Sequence, residues 1–127
     1  MLLPDDEAWL DAHGYTHTAS GQADGTHLII VGVELPTGLE PAAVDILVVL
    51  PTGFSDVGPD MFWCAPDVKR VGGEPIPGTE SRLQEGGRDW QRWSRHIGGD
   101  WRPGVDNLGT YVAYVLRALS RAAEKAA

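Results

Sequence analysis

The segment LPTGFSDVGPDMFW at residues 50–63 decides the fold, because it joins the most hydrophobic run of the chain to its densest set of turn-forming residues. Pro51 fixes its own φ and disfavours a helical conformation at the residue before it. Gly53 permits a turn, and Gly58-Pro59 predicts an extended turn before the chain becomes apolar again. The segment is therefore expected to form a shaped loop between two strands.

Hydrophobic patterns on the N-terminal side predict the strands that lead into this loop. In residues 44–50 the odd-numbered and the even-numbered positions are both largely apolar. Since alternate residues of a strand face opposite sides, this pattern is typical of a central strand covered on both faces. The run 27–33 and the threonine-rich stretch 15–20 predict a hairpin whose outer strand lies at the edge. A short helix is expected ahead of them, because Pro4 suits a first helical turn and the acids at 5–7 favour its N-terminal dipole.

On the C-terminal side of the loop, regular structure is expected to resume only near the end of the chain. Residues 64–88 lose hydrophobic periodicity and are rich in glycine and proline, which is typical of a long loop. Asp106 is a good N-cap for a final helix. The apolar residues at helical spacing that would form its buried face are Leu108, Val112, Val115, Leu116 and Leu119. A helix, an antiparallel meander, an irregular segment and a helix make an α+β domain.

Length and composition exclude several classes of protein. A chain of 127 residues is expected to form a single domain, 1–127, without help from a metal or a disulfide. The net charge of -8 opposes nonspecific nucleic-acid binding. No stretch reaches the roughly 20 apolar residues of a membrane span, and the N-terminus has acids where a signal peptide has bases. One cysteine, Cys64, excludes an internal disulfide and fits a reducing compartment, so a soluble, cytoplasmic protein is expected.

Residues 50–63 resemble the strand-ending segment F-P-x-x-Y-P-F-x-P-P-x-V-x-F of the ubiquitin-conjugating (E2, UBC-like) superfamily. The matching positions are Leu50-Pro51 at F-P, Phe54 at the tyrosine, Pro59 at the second proline of the pair, Met61 at the valine and Trp63 at the last phenylalanine. Trp101-Arg102-Pro103 is similar to the W-S-P of that family, so the resemblance covers roughly residues 26–121. More narrowly, PDMFW and WQRWSRH resemble the bacterial family called E2/UBC family protein E.

This resemblance implies a fold and a set of partners. The fold would be UBC-like, with an antiparallel β-meander flanked by an N-terminal and a C-terminal helix. The implied partners are a ubiquitin-like protein, an E1-like adenylating enzyme and a JAB-type peptidase, because members of the bacterial family are found with such proteins.

The resemblance also implies a catalytic position that this chain lacks. An active E2 has a nucleophilic cysteine about eight residues before the tryptophan of W-S-P, preceded by an H-P-N segment. In this chain Trp93 stands at that position, and no H-P-N is present. Cys64 directly follows the strand-ending Trp63 and is expected to be a half-buried packing residue, since nothing beside it would lower its pKa.

The segment RDWQRWSRHIGGDWR at residues 88–102 is the other candidate site, with three of the five tryptophans and four of the ten basic residues. Ser94 and His96 could act as nucleophile and base if Asp89 or Asp100 oriented the imidazole, and His96 alone could carry a proton or take a structural hydrogen bond. Aromatic residues beside arginines are typical of binding hot spots. The partner-binding candidates are Arg92, Trp93, Arg95, Trp101 and Arg102.

No metal or cofactor is expected from the sequence. The four histidines, His13, His17, His27 and His96, share no ligand spacing, and one cysteine cannot supply a thiolate zinc set. The glycine pairs follow no nucleotide-binding pattern.

Two hypotheses about function remain. The favoured one is an E2-like binding or adaptor protein without thioester chemistry, because the required thiol is missing from its usual place. The alternative is an active transferase that carries a ubiquitin-like protein on a displaced nucleophile, either Cys64 or Ser94.

Overall fold

The computed structural model describes residues 2–124, and it contains two α-helices, eight short or medium strands and one 3-10 helix. The helices are α1 (Pro4–Ala12) and α2 (Leu108–Glu124). The strands are β1 (Thr16–Gln22), β2 (Gly25–Glu34), β3 (Leu39–Glu40), β4 (Ala43–Pro51), β5 (Phe62–Ala65), β6 (Lys69–Arg70), β7 (Arg82–Glu85) and β8 (Arg88–Trp93). The 3-10 helix, η1, is Gly98–Asp100.

Six of the strands form one antiparallel sheet in the order β1-β2-β4-β5-β8-β7, and β3 pairs with β6 in a separate two-stranded sheet. The prediction of a central, doubly covered strand is confirmed, because β4 lies between β2 and β5, and its neighbouring residues Leu47 and Val48 both have no exposed surface. The prediction of an edge strand is confirmed too, since β1 pairs only with β2 and is exposed over almost all of its length.

Helix α2 packs on one face of the sheet and closes the main core. Its buried residues are Leu108, Tyr111, Val112, Val115, Ala118, Leu119 and Ala122. They meet apolar residues of the inner strands, among them Ile46, Val48 and Phe62. The predicted face is therefore correct except for Leu116, which is only partly buried. An antiparallel meander between two helices confirms the α+β prediction.

The cap of α2 differs from the prediction. The N-cap is Asn107, whose Oδ1 accepts a hydrogen bond from the Thr110 backbone N–H at 3.1 Å, while Thr110 Oγ1 accepts one from the Asn107 backbone N–H at 2.8 Å. Such a reciprocal pair satisfies two backbone donors at a helix start. Asp106 instead accepts a hydrogen bond from the backbone N–H of Arg102 at 2.8 Å, and this bond is the main cause that lowers the pKa of Asp106. Asp106 thus closes the turn that precedes the helix.

The prediction of a long loop over residues 64–88 is partly wrong, because β7, which lies within this range, forms a hairpin with β8, which begins at its end. Gly86 and Gly87 both have positive φ angles, 60° and 74°, which is the geometry of a two-residue hairpin turn. Earlier in the same range, Val68 is held by the buried side chain of Gln91 in β8. This side chain accepts a hydrogen bond from the Val68 N–H at 2.9 Å and donates one to the Val68 carbonyl at 3.1 Å. The irregular stretch is therefore fixed to the sheet.

The sheet is strongly curled, so that its second face closes on itself. His27 of β2 lies with its Nδ1 2.6 Å from Oε2 of Glu85 in β7, although three strands separate β2 from β7 in the sheet. A small apolar cluster of Leu47, Ala65 and Trp90 fills the inside of this curl. Apolar residues are therefore buried on both faces of the inner strands.

His27 makes the stability of this closure dependent on pH. Its Nε2 also lies 2.7 Å from Oδ1 of Asp24, so both ring nitrogens face carboxylates. Burial by itself lowers the pKa of His27, but the hydrogen bonds to Glu85 and Asp24 together outweigh it, and the pKa is raised above its usual value. A raised pKa in the folded state means that folding favours the protonated imidazole.

We expect the free energy of unfolding to have a His27 contribution that is complete below the unfolded pKa, about 6.5, and that is lost as the pH rises through the folded pKa. Urea unfolding at a series of pH values should show stability falling across this window in the wild type and a flatter profile in His27→Gln. His17→Gln, on the edge strand β1, is the matched control and should keep the wild-type slope. An unchanged slope in His27→Gln would contradict the assignment.

Candidate functional site

The chain leaves β8 after Trp93 and crosses the end of the sheet as residues 94–106 before it enters α2. This segment lies against the shaped loop of residues 51–61, which joins β4 to β5. Two contacts join them: Trp101 is inserted into the loop, and His96 pairs with Asp60. The two stretches that the sequence analysis singled out thus form one surface.

Trp101 anchors this surface. Its indole is only 8% exposed, its Nε1–H donates a hydrogen bond to the Ser55 carbonyl at 2.9 Å, and its ring centroid lies 5.9 Å from that of Phe54. A Cβ added at Gly58 would lie 2.5 Å from Cδ2 of Trp101, so the glycine is required for this close approach. The loop is held in one shape because the indole fills the space beneath it.

His96 and Asp60 form an exposed carboxylate–imidazole pair. The distance from Nδ1 of His96 to Oδ1 of Asp60 is 2.6 Å, and the two side chains are 51% and 69% exposed. Among residues 2–124 no hydrogen bond to Nε2 of His96 is found, so this atom can contact a partner. Sequence reasoning missed Asp60, although it lies within PDMFW, the short motif that carried the family resemblance.

The geometry does not form the serine-centred site considered from the sequence. Asp60, rather than Asp89 or Asp100, holds the imidazole of His96, and Asp89 is instead paired with Arg82. Within residues 2–124 no hydrogen bond joins the Ser94 hydroxyl to His96, while the Ser94 backbone N–H donates to the Gly78 carbonyl at 2.9 Å. Ser94 therefore lacks an adjacent base in this structure.

Cys64 lies in the middle of the main core. It has no exposed surface, and its strand neighbours are Ile46 of β4 and Gln91 of β8. The expectation of a half-buried residue is corrected to complete burial. Burial raises the pKa of the Cys64 thiol far above its usual range. A thiol without exposed surface is not accessible to another protein, and in this structure the Cys64 side chain packs in the core.

We expect Cys64→Ala to fold and to bind partners as the wild type does, with a loss of about 1 kcal/mol in the free energy of unfolding from the atom removed. Urea unfolding and a binding isotherm on the same variant measure both quantities. The folded wild type should also resist a thiol reagent that labels the unfolded chain. If Cys64→Ala abolished an E1-dependent adduct while its circular dichroism stayed native, Cys64 would be the displaced nucleophile.

The five partner-binding candidates differ in how exposed they are and in what they contact. Trp93 is wholly buried, stacks on Phe62 at 5.4 Å and donates its indole N–H to Gln91 at 3.0 Å, so its predicted contact with a partner is corrected to a core role. Arg92 donates from Nη2 to Ser81 Oγ at 3.1 Å, and Ser81 directly precedes β7, so the guanidinium contacts the β7 side of β8. Trp101 gives the surface its shape but exposes little area of its own.

Arg95 and Arg102 lie beside a groove with a volume of about 760 Å³, whose opposite wall is α2. The guanidinium carbon of Arg95 lies 5.1 Å from the Trp93 ring centroid, so the buried indole supports it. Arg102 is 69% exposed and contacts Asp106 at 3.3 Å. The sequence analysis did not find the other charged residues of this groove, because they come from distant parts of the chain.

The described residues give no sign of a metal site or a membrane span. Across residues 2–124 no group of three or more His, Cys, Asp and Glu side chains could hold a metal ion. No helix in this part of the chain has the length and apolar character needed to cross a membrane.

Comparison with known proteins gives one result. The family described as Prokaryotic E2 family E matches this chain over residues 2–122. Searches of curated proteins and of solved structures found no match. The family match spans α1, all the described strands and α2 as far as Ala122.

Proposed function

Because the chain belongs to prokaryotic E2 family E, we propose that it is an E2-like binding or adaptor protein of a bacterial ubiquitin-like system and that it carries no thioester of its own. The observation that carries this proposal is the burial of Cys64, the one cysteine of the sequence. Thioester exchange needs an accessible thiolate. A protein that keeps the fold without such a group acts by binding.

The proposed contact surface is the Trp101 surface, which comprises Asp60, His96, Trp101 and Arg102. Its backbone is held by the buried indole, so little ordering is needed when a partner binds. Its exposed groups are a carboxylate, an imidazole and a guanidinium, which suit a polar partner surface. The partners proposed for it are a ubiquitin-like protein and an E1-like adenylating enzyme, with a JAB-type peptidase as a further one.

The alternative is an active transferase with Cys64 or Ser94 as its nucleophile. The burial of Cys64 opposes the first form, and the lack of a bond between Ser94 and His96 opposes the second. The exposed His96–Asp60 pair is the observation in favour of chemistry at this surface, because a carboxylate-oriented imidazole can act as a general base.

Incubation with the E1-like enzyme, the ubiquitin-like protein and ATP distinguishes the two functions. The adaptor proposal expects binding by calorimetry without a mass shift of this chain. A reducible shift mapped to Cys64, or a hydroxylamine-sensitive shift mapped to Ser94, would establish the transferase instead. The two nucleophiles would leave different adducts, a thioester on Cys64 and an ester on Ser94. The mapped position and the chemistry of the adduct therefore identify the nucleophile.

His96→Ala is expected to weaken partner binding about tenfold while the melting temperature stays nearly unchanged. The exposed carboxylate–imidazole pair that it removes contributes less than about 1 kcal/mol to folding. Thermal melts and binding isotherms on the same variant measure the two effects, with His17→Ala on the edge strand as the control. If His96→Ala lost about 1–3 kcal/mol of stability and still bound normally when folded, its role would be structural.

A further inference from the structure

The groove beside α2 concentrates positive charge in an acidic protein. Five arginines line it, half of the ten basic residues in the chain, although the net charge is -8. Two aspartates also line it, and one of them, Asp106, is already paired with Arg102. A volume of about 760 Å³ lies within the usual size range of binding clefts. The arginines in the groove are Arg70, Arg95, Arg102, Arg117 and Arg121.

Arg70 is a buried charge at the base of the groove. Its side chain is 7% exposed, and it donates from Nε to the Ala122 carbonyl at 3.0 Å and from Nη1 to the Pro75 carbonyl at 2.6 Å. Among residues 2–124 no carboxylate forms an ion pair with it. A guanidinium has five N–H donors, so two carbonyls do not exhaust it. A buried cation without a counter-ion is costly, and a bound anion would lower that cost.

Arg95 lines the same groove as Arg70. Its Nη1 donates to the Pro77 carbonyl at 2.9 Å, and no ion pair to it is found within the described part of the chain. Burial lowers the pKa of Arg95, and the positive charge of Arg70 also lowers it, while Tyr114 and Glu80 act in the opposite direction. Both guanidiniums line the groove, so a carboxylate bound there would add a counter-charge beside them.

The opposite wall continues the positive charge along α2. Arg117 and Arg121 are four residues apart, so they extend from one face of the helix on successive turns, and both are exposed. Tyr114 lies among these arginines: burial raises its pKa, while Arg95, Arg121 and Arg117 act in the opposite direction. The phenol thus adds a neutral hydrogen-bond donor to the array.

Apolar side chains are interspersed with the charges. Pro77, Ile97, Ala113 and Ala118 also line the groove. A compact phosphate would use the guanidiniums and leave this apolar surface in water. An extended peptide with carboxylates and small apolar side chains in alternation would use both, because successive side chains of an extended segment point to opposite sides.

We propose that this arginine groove binds an extended acidic segment of a protein partner, with its carboxylates on Arg70, Arg95, Arg117 and Arg121 and its apolar side chains against the apolar residues that line the groove. This inference rests on the proposed function, because it assumes that the chain acts by binding proteins. What it adds is the chemical character of one bound segment. The groove adjoins the Trp101 surface and shares Arg102 with it, but the other residues differ: Arg95 lines the groove, while the next residue, His96, pairs with Asp60.

A fluorescein-labelled heptapeptide that alternates glutamate with valine tests the proposal by anisotropy. The double variant Arg117→Gln/Arg121→Gln is expected to bind it at least about tenfold more weakly, because two exposed guanidiniums are lost without disturbing the core. The double variant Lys69→Gln/Arg88→Gln removes the same charge outside the groove and should change affinity less than about twofold. The lysine–valine peptide should not bind. Equal losses in the two double variants would overturn the proposal, because net charge alone would then explain binding.

Two further measurements separate the other outcomes. Inorganic pyrophosphate that binds the wild type while the acidic peptide does not would overturn the peptide proposal in favour of a small phosphate ligand. Binding of the ubiquitin-like protein is measured on the same variants. Loss of peptide binding in Arg117→Gln/Arg121→Gln supports the groove, whatever effect His96→Ala has on binding of the ubiquitin-like protein. Failure of the groove proposal would therefore appear in the peptide measurement, and failure of the proposed function in the measurement with the ubiquitin-like protein.

Discussion

A chain that ends at Asn107 is expected to lose cooperative folding altogether. Helix α2 supplies seven buried residues to the main core, four of which are large aliphatics. Each such residue contributes about 2–5 kcal/mol, and the total stability of a small domain is only about 5–15 kcal/mol. Circular dichroism and urea unfolding should therefore show no sigmoidal transition. A truncated chain that unfolded cooperatively would contradict the packing of α2 on the sheet.

Point variants of the same helix give a graded form of this test. Leu119 has no exposed surface, so Leu119→Ala should lower the free energy of unfolding by about 2–5 kcal/mol. The adjacent Ser120 is exposed, and Ser120→Ala should stay within about 0.5 kcal/mol of the wild type. Equal effects at the two positions would mean that the buried face of α2 is wrongly assigned.

Trp101→Ala is expected to lower the free energy of unfolding by about 3–5 kcal/mol and to abolish binding through the Trp101 surface. The substitution removes the indole that fills the space under the loop, and it leaves the Ser55 carbonyl without its hydrogen bond. The resulting cavity borders Phe54 and Gly58, so the loop would lose its fixed shape. Urea unfolding gives the stability, and calorimetry gives the binding to the ubiquitin-like protein.

Two variants control this experiment. Val105 is 58% exposed in the same segment, and Val105→Ala should have little effect on either quantity. Trp101→Phe keeps an aromatic ring but cannot donate to Ser55, so its loss of stability should lie between those of Val105→Ala and Trp101→Ala. If Trp101→Ala were destabilised but bound with unchanged affinity in its folded fraction, the loop shape would not govern recognition.

The main elements of the fold could be predicted because their signals are local. Apolar residues on both alternating sets of 44–50 reflect a strand buried on two faces, and β4 occupies that place. Apolar spacing in α2 likewise reflects one buried face. The β7–β8 hairpin was missed because β7 is short and polar, although the Gly86-Gly87 turn was present as a signal.

The candidate surfaces could be predicted only in part, because their residues are brought together by tertiary contacts. Asp60 and His96 are 36 residues apart, and no periodic pattern links them. The groove joins residues from the β6 strand, the segment after β8 and α2. Taken singly, Arg117 and Arg121 suit the C-terminal end of a helix dipole. Their common groove depends on how α2 is placed against the sheet.

The opposite orientations of Arg95 and His96 constrain how this segment can evolve. Because adjacent residues serve two different surfaces, a one-residue insertion or deletion between Trp93 and His96 would change which side chains are offered to the two surfaces. Trp93 in the core and Trp101 in the loop fix both ends, so a change of length could not be absorbed by sliding. Among natural variants we therefore expect the number of residues between the two tryptophans to vary less than their identities.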